Sequence, residues 1–169
     1  MIAYSLVFLV LPMLLIAAAA WDLASFTIPN TLQVMLLAGF ALFAACTQMS
    51  PMLFGEHLLA GFIGLAAGFT LFALGYVGGG DAKFFACLSL WLGLHDFTLY
   101  ALVASIFGGG LTLALIAARE VPLPGFLASQ GWILRLHDER EGIPYGVALA
   151  AGAFFILPQA EIFRTAIGG

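Results

Sequence analysis

Two carboxylates lie where the chain changes from apolar to polar. Asp22 follows a long apolar run in the stretch WDLASFTIPN, and Asp81 follows three glycines in GYVGGGDAKFF. Two carboxyl groups that lie close together cannot both ionise easily, so they share a proton and titrate as a pair. Such a pair provides a general base and a general acid at once, which suits it to hydrolysis. The two aspartates can act in this way only if the folded chain brings them close together.

The rest of the chain is apolar enough to indicate a membrane protein. Its 169 residues are 63% hydrophobic and 8% charged, with a mean hydropathy of +1.12, which excludes an ordinary soluble domain. Backbone groups in hydrocarbon must be satisfied within their own segment, so the apolar runs predict helices. We expect an all-α, polytopic protein, with residues 1–169 forming one membrane-embedded domain of about six transmembrane helices. The predicted helices are 2–20, 31–49, 58–76, 82–94, 98–118 and 145–162. The fourth is short for a span, so it either begins earlier, inside the glycine run, or is partly re-entrant.

The order of the helices places both aspartates on one face of the membrane. The end of the first helix and the start of the fourth are separated by two full crossings, so Asp22 and Asp81 lie at matching depth. Three of the five basic residues lie in the connection 119–142, which predicts that this loop and both aspartates are cytoplasmic. Lys83 agrees with this orientation, and Arg164 does not. Direct contact between the acids also requires the first and fourth helices to be neighbours, which crossing parity does not determine.

Each of these polar residues also has a purely structural interpretation. Asp81 is a favourable N-cap for the fourth helix. Asp22 lies at a helix C-terminus, where the macrodipole disfavours negative charge, so a functional role is indicated, with a solvated loop position as the alternative. We predict that Asn30 caps the second helix, with Gln33 as its capping-box partner.

The glycines before Asp81 indicate close approach of another chain. Without a β-carbon, Gly78, Gly79 and Gly80 can adopt positive φ and allow a backbone to come near. We predict that Gly78 and Gly80 bind an extended peptide substrate, and the alternative is a loose loop or a helix–helix contact. Gly61, Gly64 and Gly68, in the third helix, are expected to serve helix packing.

These motifs together resemble a known family. Residues 78–81, Gly-Gly-Gly-Asp, fit the GxGD motif of membrane aspartyl proteases, and Asp22 with Ile28-Pro29-Asn30 resembles the first-aspartate region of type IV prepilin peptidases. The stretch GIPYGVALAAG at 142–152 is similar to the sequence that opens the last helix of those enzymes. The resemblance implies that Asp22 and Asp81 are the catalytic pair. It also implies cleavage of a prepilin leader at the cytoplasmic face of a bacterial inner membrane.

The resemblance is to the short form of that family. Long members carry an additional domain with paired CxxC motifs, which are linked to N-methylation of the cleaved pilin. Here the two cysteines, Cys46 and Cys87, form no CxxC pair, so methyl transfer is not expected. The chain resembles the peptidases of tight-adherence (Flp-type) pili. Archaeal preflagellin peptidases have a similar layout, and that alternative stays open.

Partners and rival functions follow from the same features. The expected substrate is a single-span prepilin precursor with a short basic leader, and we also expect contact with the lipid bilayer and with pilus assembly machinery. We predict no nucleic-acid partner, no cofactor and no metal site.

From helix dipoles alone, Asp81 is the expected base and Asp22 the expected acid. The alternatives are a proton- or cation-coupled transporter component that uses the same two aspartates, and a non-catalytic scaffold. The segment 125–136 is expected to be either an interfacial helix or a plain connecting loop.

Overall fold

The described part of the chain, residues 2–167 of a computed structural model, is helical, and no strand occurs within it. The N-terminal helix is continuous over Ile2–Ser25 and comprises α1, a π-helical turn and α2. The longer helices that follow are α3, α4, α5 and α8, and short helices occupy the connection before α8 and the end of the chain. The bounds are α1 Ile2–Ser5, α2 Leu11–Ser25, α3 Asn30–Cys46, α4 Pro51–Ala73, α5 Gly79–Arg119, α6 Gly125–Ala128, α7 Gly131–His137, α8 Tyr145–Ile156 and α9 Glu161–Ala166.

The predicted polytopic, all-α architecture is confirmed. Three helices within the described residues are long and apolar enough to cross a membrane: Ile2–Ser25, Pro51–Ala73 and Gly79–Arg119. Two shorter apolar helices, Asn30–Cys46 and Tyr145–Gln159, accompany them. These five helices contain most of each of the six apolar runs, because α5 includes both the fourth and the fifth.

Helix α5 consists of two arms that fold back on each other at Gly93. The backbone there leaves the helical region, with φ of 74° and ψ of 176°. The rings of Phe85 and Tyr100 stack with centroids 5.4 Å apart, whereas in a straight helix residues so spaced would lie roughly 22 Å apart. A β-carbon at position 93 would lie 2.9 Å from the His57 ring, so the reversal needs glycine for both its conformation and its packing. The first arm (residues 79–92) thus begins inside the glycine run, as one of the two alternatives predicted.

Glycines on α4 allow the first arm of α5 to pack closely against α4. A β-carbon on Gly64 would lie 2.8 Å from Ser89 Cβ, and one on Gly68 would lie 2.9 Å from Ala82 Cα. Small residues allow helices to approach this closely in a membrane. The predicted packing role of these glycines is therefore confirmed, and it holds the start of α5, including Asp81, against α4.

Helix α8 packs against both α2 and the second arm of α5 (residues 94–119). A β-carbon on Gly152 would lie 3.0 Å from Ala104 Cα, and Gly108 faces the ring of Tyr145. The last apolar helix therefore packs between α2, which carries Asp22, and the arm of α5 that follows the Gly93 reversal. The segment 125–136 forms the short helices α6 and α7 in place of one interfacial helix, and Phe126 and Trp132 are exposed on them.

Candidate active site

Asp22 is buried in the last turn of α2. It is only 2% exposed, although it stands at the boundary between an apolar helix and a polar connection. The helix ends at Phe26, which adopts the left-handed conformation with φ of 54° and donates its N–H to the Asp22 carbonyl oxygen at 2.7 Å. The loop after this residue, including Ile28, lines the same cavity as the Asp22 side chain.

Asp81 is the third residue of α5, and its carboxyl group is also buried. The N-cap position belongs to Gly78, whose N–H donates to Asp81 Oδ2 at 3.2 Å. The prediction that Asp81 is the N-cap residue is therefore wrong, although its carboxylate accepts a hydrogen bond from the residue that does occupy that position. Since this bond uses one carboxylate oxygen, a capping interaction and a chemical role are compatible at this residue.

The predicted capping box of α3 is wrong. Pro29 occupies the N-cap position, and Asn30 is the first helical residue, with no side-chain cap. Gln33 donates Nε2–H to the carbonyl oxygen of Gly80 at 3.2 Å, and Asn30 Oδ1 accepts from Lys83 Nζ at 3.1 Å. Both side chains therefore link α3 to the first arm of α5. In the folded chain, the Gly80 carbonyl oxygen and the Lys83 side chain are their hydrogen-bond partners in place of the start of α3.

The two aspartates line one cavity of about 270 Å³. Its other walls are the loop after α2, the three glycines, Asn30 and Lys83. The expectation that Asp22 and Asp81 share one face is therefore confirmed. Crossing parity required only a common face, whereas the structure places both residues in one cavity. Proximity does not depend on α2 and α5 alone, since α8 packs against both helices.

The N-terminal turn of α8 faces both acids. The backbone amide of Gly146 lies near the Asp22 and Asp81 carboxyl groups, whereas that of Val147 donates to the Pro144 carbonyl oxygen. Gly146 was not predicted as a functional residue, although its position two residues after Pro144 marks the opening of a helix. The dipoles of α2 and α5 alone favour Asp81 as the base. Because the N-terminus of α8 faces Asp22 as well, helix dipoles no longer rank the two acids.

The glycine run allows close packing without a left-handed backbone. Within the described residues, the glycines at positive φ are Gly75 and Gly93, whereas Gly78 has φ of −71° and Gly80 lies in the first turn of α5. The expectation of positive φ in this run is therefore wrong. A β-carbon on Gly80 would lie 3.3 Å from the Ile28 backbone nitrogen, so Gly80 permits contact with the loop after α2. Gly78 and Gly80 both line the cavity, and peptide binding by them remains a prediction.

A second polar cluster lies at the opposite end of the first arm, beyond Gly93. Asp96 is 5% exposed, and its Oδ2 accepts from the N–H of Glu161 at 2.9 Å, at the start of α9. Its Oδ1 lies 2.9 Å from His95 Nδ1. Among the described residues, no group of three or more His, Cys, Asp or Glu side chains is placed to hold a metal ion. The buried acid Asp96 therefore has a structural explanation, as the anchor of α9.

Comparison with known proteins agrees with this arrangement. The profile of the type IV leader peptidase family matches residues 9–113, a stretch that contains both aspartates. The chain belongs to the type IV leader peptidase family. A protein of Bacillus subtilis (strain 168), named prepilin leader peptidase/N-methyltransferase, is 34% identical over 146 residues, which cover 83% of this chain. The chain spans about half the length (50%) of that relative. No solved structure gives a significant match.

Proposed function

We propose that the chain is a membrane aspartyl endopeptidase that removes the leader from prepilins. The observation that carries this proposal is the single cavity that contains Asp22 and Asp81, each at the end of an apolar helix. Membership of the leader peptidase family supports the reaction class, and the substrate named for the Bacillus relative supports prepilin as the substrate. We further propose that the substrates are of the Flp type, as the resemblance to the short peptidases implies.

The proposed chemistry requires one proton shared between the two carboxyl groups. The ionised carboxylate takes a proton from water as the water oxygen attacks the carbonyl carbon of the scissile peptide. The protonated carboxyl donates its proton to the carbonyl oxygen, which gives a tetrahedral diol. Collapse of the diol breaks the C–N bond: the departing nitrogen receives a proton from the acid formed in the first step, and a diol hydroxyl returns its proton to the other carboxylate as the C=O bond re-forms. The pair then again holds one proton and is ready for another turnover.

The cavity is proposed to face the cytoplasm of a bacterial inner membrane. Three of the five basic residues lie between positions 119 and 142, and the Arg119 guanidinium donates to the carbonyl oxygens of Leu136, Glu141 and Gly142. These bonds hold the basic connection next to α8, whose first turn faces the aspartates. An excess of Lys and Arg marks the cytoplasmic side of membrane proteins.

An apolar groove offers a place for the membrane segment of the substrate. It has a volume of about 440 Å³, lies between α4 and the two arms of α5, and has Asp81 at its polar end. A second apolar groove, of about 480 Å³ between α3, α4 and the first arm, contains Lys83 and Asn30 but neither aspartate. We place the apolar helix of the prepilin in the first groove, because only there does an apolar wall lead directly to an acid of the pair.

The position of the acids does not favour a transporter. Asp22 lies in the last turn of α2, and Asp81 lies in the first turn of α5. Secondary transporters place their ion and substrate sites near the bilayer midplane, commonly at interrupted helices related by an internal repeat. Acids at two helix ends are better placed for a peptide bond at the membrane boundary.

The proposal is tested with three matched variants. We expect Asp22→Asn and Asp81→Asn each to lower the cleavage of a co-expressed prepilin by about 100-fold or more, because each removes a general acid or base. Asp96→Asn, which alters a buried acid at the opposite end of the bundle, should cleave normally. Gel-shift assays of processing are read beside the amount of folded enzyme in the membrane. Normal processing by either of the first two variants would refute the aspartate pair and leave the scaffold alternative.

A further inference from the structure

The first turn of α8 presents one backbone amide to the acids. Its N-cap is Pro144, and no side chain caps this helix end. The amides of Tyr145 and Val147 donate to the carbonyl oxygens of Ile143 and Pro144, at 2.8 and 3.2 Å. The amide of Gly146 instead faces both carboxyl groups. Free amides at a helix start carry partial positive charge, so this end of α8 attracts negative charge.

The carboxyl group of Asp22 completes this arrangement from the other side. Its Oδ2 is buried and accepts no hydrogen bond from any described residue. The side chain as a whole is only 2% exposed, so water does not surround it. A buried carboxylate oxygen without a partner is costly unless the surrounding dipoles offset its charge. The N-terminus of α8 can do so, since position 146 lies directly against Asp22.

Glycine is needed at position 146 for this approach. A β-carbon there would lie 2.8 Å from Asp22 Oδ2, 3.0 Å from Asp22 Cγ and 2.7 Å from Ile28 Cδ1. These separations are shorter than van der Waals contact, so one of the two neighbours would have to move. The Ile28 methyl group is the free end of a flexible side chain. The Asp22 carboxyl group is enclosed, and moving it would change its distance from Asp81.

We propose that Gly146 is a positioning residue for the aspartate pair, and that the first turn of α8 holds the single negative charge that the pair carries. This inference rests on the proposed function, since it takes Asp22 and Asp81 to be catalytic. The missing side chain lets the helix start come close to Asp22. The Gly146 amide then lies near both carboxyl groups and keeps them at a spacing at which they share one proton.

Replacement of Ile28 separates the two contacts of position 146. Ile28→Val removes Cδ1, so the Asp22 carboxyl group becomes the nearest neighbour of a β-carbon at 146. We expect Gly146→Ala in the Ile28→Val background to lower kcat by about tenfold or more relative to Ile28→Val alone, with KM nearly unchanged. Substrate binding is retained because the groove and the glycine run are unaltered. A kcat equal to that of Ile28→Val would overturn the inference.

A control on the same helix separates positioning from packing. Gly152→Ala crowds α8 to a similar degree, since its β-carbon would lie 3.0 Å from Ala104 Cα, far from the acids along the helix. It should reduce thermal stability but leave kcat per folded enzyme unchanged. An equal loss of kcat in Gly152→Ala and Gly146→Ala would assign the effect to helix packing and overturn the inference.

A stability measurement covers the case in which Gly146→Ala folds too poorly for kinetics. All variants carry Ile28→Val, and the thermal midpoint in detergent is measured for Gly146→Ala with and without Asp22→Ala. Because Asp22→Ala removes the carboxyl group that the new methyl group would meet, the loss of midpoint caused by Gly146→Ala should become much smaller in that background. Additive losses would overturn the inference. Normal cleavage by Asp22→Asn would instead refute the proposed function, so the two failures are distinguishable.

Discussion

Added volume at Gly80 should disturb the loop after α2, which lines the site beside Asp22. A β-carbon there would lie 3.3 Å from the Ile28 nitrogen, 3.6 Å from Ile28 Cβ and 3.7 Å from its carbonyl oxygen. Two of these three atoms are backbone, so the loop after α2 has to shift as a unit. Overpacking of this kind costs about 1–3 kcal/mol. If the shift is taken up by the loop that encloses Asp22, the cost corresponds to roughly a 5- to 150-fold loss of rate.

The effect should be graded, because alanine adds only the β-carbon whereas valine adds two further methyl groups. We expect Gly80→Ala near the lower end of that range and Gly80→Val near the upper end. The assay is the initial rate of prepilin cleavage in detergent, normalised to folded enzyme. A matched control is Gly79→Ala, whose β-carbon would have the Phe72 ring as its nearest neighbour, at 3.4 Å, an ordinary van der Waals distance.

Three outcomes are informative for this series. A graded loss at Gly80 with little change at Gly79 would support crowding between the glycine run and the loop. Wild-type rates for both Gly80 variants would refute this reasoning and remove Gly80 from the mechanism. Equal losses at both glycines would show that flexibility of the run matters rather than its contact with Ile28.

Two further predictions concern the fold. Single cysteines at Asp138 and at His95, in a chain without its native cysteines, should be labelled from the cytoplasmic and the outer side respectively; labelling of both from one side would contradict the six-helix orientation. Gly68→Ala should destabilise the protein by about 1–3 kcal/mol, because its β-carbon would lie 2.9 Å from Ala82 backbone atoms. Gly55→Ala, on the same helix with no neighbour within 4 Å, should be neutral or stabilising by about 0.5–1 kcal/mol. Thermal unfolding in detergent compares the two, and equal effects would refute the packing role of Gly68.

Close approach by glycine recurs at each important junction of this protein. Gly68 brings α4 onto the start of α5, Gly80 brings the glycine run onto the loop after α2, and Gly146 brings α8 onto Asp22. Burial of the acids depends on these contacts, since a larger residue at any of them would separate the helices that enclose the cavity. The site is therefore built by helix packing as much as by the two aspartates.

Several features could be predicted from the sequence because they depend on composition and on order along the chain. Apolar runs of sufficient length require helices in hydrocarbon, which determined the all-α fold. Counting crossings determined that Asp22 and Asp81 share one face, without any knowledge of which helices touch. The glycines of α4 were recognisable as packing residues because small side chains in membrane helices have few other uses.

Other features were decided only by the tertiary structure. Local rules assigned Asn30 and Gln33 to a helix cap, but both bind the first arm of α5, because partners distant in sequence lie closer in space than the end of their own helix. The reversal at Gly93 packs against the His57 ring, a residue distant in sequence. Crossing parity determines depth but not neighbours, so the sequence could place the two acids at one level and could not show that α8 packs against both helices that carry them, with Gly146 facing both carboxyl groups.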